Sequence, residues 1–218
     1  MKKTMKKTAA KQSSRRKFLQ TAAAATIGAT VASRVGSPAA LSAADSDKTL
    51  KIGLIGCGGR GTGAAMQALN ADPNVELAAL GDLFEDRLQN SLEQLRKKTP
   101  DKVKVPPERC FLGFDAYQKV VDSDVDIVLL TTPPGFRPQH LAAAVEAGKH
   151  SFAEITTAVD APGVRSVLKS AQTADEKNLA IVSGFCWRYH GALRAARERI
   201  RDGAIGDVIT CWAYREHG

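Results

Sequence analysis

The sequence predicts an α/β domain built on a doubly wound parallel sheet, and three observations carry that expectation. From residue 50 onward, short apolar runs alternate with longer stretches of amphipathic helical period, the pattern of repeated strand–helix–strand units. The first apolar run ends in a glycine-rich turn, Gly56-Cys57-Gly58-Gly59-Arg60-Gly61. No internal repeat or low-complexity segment interrupts the alternation before Gly184.

The elements follow in order. Residues 50–55 read as a buried strand, 56–61 as a loop, and 61–70 as a helix facing Ala64, Ala65 and Leu69 inward. Residues 75–80 form the second strand, which ends at Gly81-Asp82. The next helix, 85–98, turns Leu88, Leu92 and Leu95 to the core. It closes on Arg96, Lys97 and Lys98, where the helix dipole favours cations. A loop over 100–107 leads to a short strand at 111–112 and a short helix at 116–121. Residues 125–130 are the most strongly apolar strand. A helix over 138–147 follows, with Gly148 as its cap. Strands at 151–153 and 180–183 flank a helix over 161–177. After Gly184 the pattern changes to a basic helix, 191–202, and a strand, 207–215. One helix and one strand cannot bury a core, so 185–218 is expected to be the start of an incomplete second domain.

The formal charge of +8 suggests nucleic acid until it is located. Residues 1–44 hold nine Lys and Arg and no acid, which leaves 22 basic against 23 acidic residues in the remainder. A body so near neutrality has no general attraction for phosphate backbones, so no nucleic-acid partner is expected. The leader joins a basic stretch to Ser14-Arg15-Arg16-Lys17-Phe18-Leu19, an Ala/Thr-rich run over 21–33, and small residues ending at Ala44. This is the anatomy of an export signal with a twin-arginine address, cleaved after Ala44. Its apolar run is short of the roughly 20 residues that span a bilayer, so delivery to the periplasm without a membrane anchor is expected. Cys57, Cys110, Cys186 and Cys211 form no CxxC pair, which argues against zinc and dithiol chemistry and for buried free thiols.

Gly56, Gly58 and Gly61 form GxGxxG between a predicted strand and a predicted helix. The first glycine permits the tight turn, the second admits a pyrophosphate, and the third lets helix and strand approach. The helix start offers amide donors and partial positive charge to the phosphates. Asp82 stands 21 residues past Gly61, at the end of the second strand. A carboxylate there accepts from both adenosine-ribose hydroxyls and repels a 2′-phosphate. Leu83 follows, where a phosphate would call for a cation. These are the marks of a Rossmann domain with NAD as cofactor and NADP as the poorer ligand.

With these residues in hand, the chain resembles the Gfo/Idh/MocA oxidoreductases (glucose-fructose oxidoreductase, inositol dehydrogenase and relatives), especially exported members with twin-arginine leaders. The matching pieces are residues 55–61, the segment from Thr132-Pro133 to His140, Ala147-Gly148-Lys149-His150, and Asp202-Gly203-Ala204-Ile205-Gly206-Asp207. The resemblance implies a Rossmann domain over 45–184. It also implies a second domain with an open, mostly antiparallel sheet, begun at 185–218, that carries the substrate site and mediates homo-oligomerisation. The cofactor would be held by Gly56, Gly58, Gly61, Asp82, Thr132 and Pro133, with Gly59 and Arg60 in the loop, His140 close by, and Glu154 in touch. A small sugar or polyol is the implied substrate.

The chain departs from that family at one telling place. Where the family expects Glu-Lys-Pro, this sequence has Glu154-Ile155-Thr156. Isoleucine has no proton to give and no charge to orient a hydroxyl. Lys149 precedes the strand and is a poor substitute, and the family's second-domain Asp and His would fall beyond Gly218. No catalytic residue is therefore assigned. Three readings stay open: a sugar or polyol oxidoreductase represented by its nucleotide-binding part, a non-catalytic nucleotide-binding fragment or paralogue, and an NAD-dependent glycosidase of the same fold. The oligomer implied by the family is not expected of so short a second part.

Overall fold

The structure is a computed structural model that describes residues 48–214; residues 1–44, expected to form a leader with a twin-arginine motif and a cleavage site, lie outside the described residues. Six strands form one sheet: β1 (Leu50–Ile55), β2 (Val75–Asp82), β3 (Cys110–Leu112), β4 (Ile127–Leu130), β5 (His150–Ala153) and β6 (Ile181–Ser183). Their order is β3-β2-β1-β4-β5-β6, and every pairing is parallel. Parallel neighbours require crossovers. Here α1 (Gly59–Ala71), α2 (Glu85–Lys98), α3 (Ala116–Val121), α4 (Arg137–Glu146) and α5 (Ala161–Glu176) provide them. The chain leaves β1 toward β2 and β3, then returns to the other side of β1 as β4. A crevice opens at that reversal, outside the carboxyl ends of β1 and β4.

The core follows the two-residue period of the strands. On β1, Ile52 and Leu54 enter one cluster with Leu69, Leu88, Leu92 and Leu95 from α1 and α2. On β4, Val128 and Leu130 enter the other cluster with Leu141, Ala144 and Val145 of α4. Both faces of β1 and β4 are thus covered, which is why these strands read as continuous apolar runs. A buried hydrogen bond of 2.8 Å from Thr62 to Ser91 ties α1 to α2. Helix ends obey local chemistry: Glu85 and Asp86 open α2, Arg96 to Lys98 close it, and Asp160 caps α5 by accepting from the Gly163 amide at 2.7 Å.

Several expectations need correction. Helix α1 begins at Gly59, two residues before Gly61, because Gly58 already serves as its extended N-cap. Strand β4 begins at Ile127; the Asp126 carboxylate takes the Lys51 amide at 2.9 Å in place of a main-chain partner. The expected loop over 100–107 opens on a 3₁₀ turn, Pro100–Lys102, and its last residue begins a second, Pro107–Arg109. The strand expected over 207–215 is not formed in its described part, 207–214, because no neighbouring strand takes its amides and carbonyls. The preceding helix α6 (Gly191–Arg201) has no buried residue. Buried thiols are found only at Cys57; Cys110 is half-buried and Cys186 and Cys211 are exposed, the last two in the uncovered stretch after β6. No described helix is long and apolar enough to cross a membrane.

Candidate functional site

The end of β1 shows why the turn is rich in glycine. Gly56 holds φ +97°, a conformation that side chains disfavour, and donates its amide to the Gly81 carbonyl at 2.8 Å. A Cβ on Gly61 would lie 1.9 Å from the Gly56 carbonyl oxygen, so the third glycine lets α1 start directly against the turn. Around Gly58 there is open space. Thr131, at the end of β4, donates its hydroxyl to the Gly56 carbonyl at 2.6 Å and pins the turn to the sheet.

Asp82 joins this turn. Its Oδ2 accepts the Cys57 amide at 2.5 Å and its Oδ1 accepts the Phe84 amide at 2.9 Å. Each oxygen has a second lone pair, so the carboxylate can still receive a ribose hydroxyl. Cys57 is tucked beneath, its thiol 3.6 Å from the Gly81 carbonyl, and burial raises its pKa, so it stays protonated and unreactive. Among the described residues no group of His, Cys, Asp or Glu could hold a metal ion.

A cavity of 440 Å³ lies over these strand ends. It brings together Gly56, Gly58, Gly59, Arg60, Asp82, Thr132, Pro133 and His140, each named from the sequence as a candidate cofactor contact. Gly61 stands behind the wall. Glu154 lines instead a neighbouring cavity of 880 Å³, with Ile155 and Ser183. Arg60 lines both, and its Nε donates to Glu154 Oε1 at 2.6 Å. His140 is 6 % exposed, not a surface residue. Its Nδ1 lies 3.1 Å from the Thr132 hydroxyl, its ring stacks on Tyr117 with centroids 4.2 Å apart, and burial lowers its pKa to about 4. It is a neutral imidazole at physiological pH. Ile155 is 42 % exposed and presents only hydrocarbon to the second cavity.

Two lining residues escape a reading of motifs. Arg87, over the Phe84 ring at 5.1 Å, puts a cation at the Asp82 end. Arg137, at the first position of α4, is buried in the cavity wall. A cation at a helix N-terminus opposes the dipole, and that anomaly is the sequence signal that could have flagged Arg137.

A parallel sheet in this order, with a glycine turn at β1 and a carboxylate at the end of β2, defines a Rossmann-type nucleotide-binding domain. The chain belongs to the Gfo/Idh/MocA group, the oxidoreductase family with an NAD-binding Rossmann fold, whose family model matches residues 50–183. It is 27% identical over 214 residues to a glycosyl hydrolase family 109 protein of Solibacter usitatus, covering 94% of this chain and 46% of the relative. Among solved structures, scyllo-inositol dehydrogenase from Lactobacillus casei with bound NAD(H) and scyllo-inositol matches at 26% identity and TM-score 0.60, over 73% of this chain and 43% of that one. A 3-ketoreductase from Actinomadura kijaniata in complex with TDP-benzene and NADP matches at 25% identity and TM-score 0.58, over 73% and 46%. The chain spans a little under half the length of these relatives.

Proposed function

We propose that this chain is the nucleotide-binding part of an NAD-dependent oxidoreductase acting on a small sugar or polyol. One observation carries the reading: a single cavity runs from the Asp82 carboxylate, past open glycine backbone, to Thr132 and His140. Bare amides at the start of α1 suit a pyrophosphate, and the carboxylate suits a ribose diol. The inositol dehydrogenase with its NAD(H) and inositol supports both the cofactor and the substrate class. When bound, the nicotinamide supplies hydride transfer; the protein's share is to hold it and exclude water.

A second reading, a nucleotide-binding module without turnover, is favoured by Ile155, whose side chain has no proton to give where the family's lysine would stand. The glycosidase alternative draws its support from the family 109 relative. We also propose export by the twin-arginine route to the periplasm, on the strength of Arg15 and Arg16 ahead of the Ala/Thr run.

Isothermal titration tests the central claim. The chain is expected to bind NAD, and Asp82→Ala is expected to weaken NAD more than NADP, because only NAD uses the carboxylate without repulsion. Absence of affinity for either nucleotide would refute the reading. Turnover separates the two readings: dehydrogenase activity in the wild type would favour the enzyme, whereas activity that appears only in Ile155→Lys would favour a module whose chemistry the isoleucine has removed.

A further inference from the structure

We infer that Arg137 is a binding contact for the carboxamide oxygen of the nicotinamide, and so supplies positive charge beside the position where Ile155 offers none. The inference rests on the dinucleotide reading above.

The residue is costly where it stands. It opens α4, at the positive end of the helix dipole, and it is 6 % exposed. A guanidinium carries five N–H donors in a planar fork. Among the described residues, one hydrogen bond is formed, from a terminal nitrogen to the Thr156 carbonyl, while Nε is enclosed without a partner. Glu154 is the acid whose charge offsets its burial, yet Glu154 is already held by Arg60. Arg137 is therefore a buried cation with donors to spare, lining a cavity and needing acceptor oxygens.

Its place in the sheet names the acceptor. Asp82 ends β2, the glycines end β1, Thr131 and Thr132 follow β4, and Glu154 follows β5. Three strand spacings separate β2 from β5, about 14 Å. A dinucleotide with its adenosine ribose at Asp82 and its pyrophosphate over Gly58 extends its nicotinamide half toward β4 and β5. Arg137 begins the helix after β4 and is tethered to Thr156, just past β5, so it stands at that half. A guanidinium does not give up its proton near neutral pH, which limits it to binding and orientation. A neutral amide oxygen is an acceptor it can satisfy without proton transfer.

The full chain should be titrated with NAD and with ADP-ribose, which shares everything but the nicotinamide. In Arg137→Ala, NAD affinity is expected to fall about tenfold while ADP-ribose affinity stays within about twofold. Arg137→Lys, which keeps the charge, is expected to restore part of the NAD loss. Equal losses for the two ligands would make Arg137 a support of the fold and overturn the inference, as would an unchanged NAD affinity. If Arg137→Ala does not fold, Arg137→Gln decides by the same comparison. A wild-type chain that binds neither ligand would overturn the dinucleotide reading itself.

Discussion

At the scale of the residue, Gly58 and Gly61 look alike in the motif and do different work. A Cβ on Gly61 would meet the Gly56 carbonyl oxygen at 1.9 Å and the Thr131 hydroxyl at 2.6 Å, with no flexible group to yield. Gly61→Ala is therefore expected to destabilise the fold by about 3 kcal/mol or more, through forced separation of helix and turn. A Cβ on Gly58 meets nothing within 4 Å, and its backbone at φ −68°, ψ 179° suits any residue. Gly58→Ala is expected to leave stability within about 0.5 kcal/mol and to lower NAD affinity at least about tenfold, because the methyl occupies space the pyrophosphate needs. Thermal denaturation beside nucleotide titration reads both effects. The reverse pattern, a stable Gly61→Ala and an unfolded Gly58→Ala, would refute this division of roles.

At the scale of the element, α4 is held to β4 and α3 through His140, whose ring touches Thr132 and Tyr117. Burial lowers its pKa from 6.5 to about 4, so the unfolded chain takes up a proton that the folded chain refuses. Stability is then complete above about pH 6.5, falls as pH drops toward 4, and levels off below it, a loss of up to about 3 kcal/mol from this residue. Urea midpoints across that window should decline more steeply in the wild type than in His140→Gln; parallel declines would show that the imidazole is not responsible. Burial of His140 was not legible in the sequence, because its neighbours on α4 give a helical period but do not say which partner covers the ring. The strands and the glycine turn were legible because period and turn chemistry are local. The extended part of the reading that failed, 207–214, failed for a related reason: strand propensity needs a neighbour, and the described residues provide none. The Arg60–Glu154 and Arg137–Thr156 links were equally hidden, since both join segments brought together only by the order of β1, β4 and β5.

At the scale of the whole molecule, charge and topology bear on where the protein works. The excess positive charge sits in residues 1–44, and the body carries 22 basic against 23 acidic residues. The nucleotide cavity draws its walls from the ends of β1, β2 and β4, and Ile55 and Thr131 that meet there are 76 residues apart in the chain. Such a site exists only after folding, so a chain exported unfolded could not carry a dinucleotide with it. The twin-arginine route carries folded proteins, so the export proposed from Arg15 and Arg16 is compatible with a site that forms only on folding. Replacing both by lysine keeps the charge of residues 1–44 and removes the proposed address. Cell fractionation should then find the wild type in the periplasm, shortened to begin at Asp45, and the variant in the cytoplasm at full length. Periplasmic delivery of the double-lysine variant would mean that charge and apolar run alone direct export, and the link between leader and folded site would be lost.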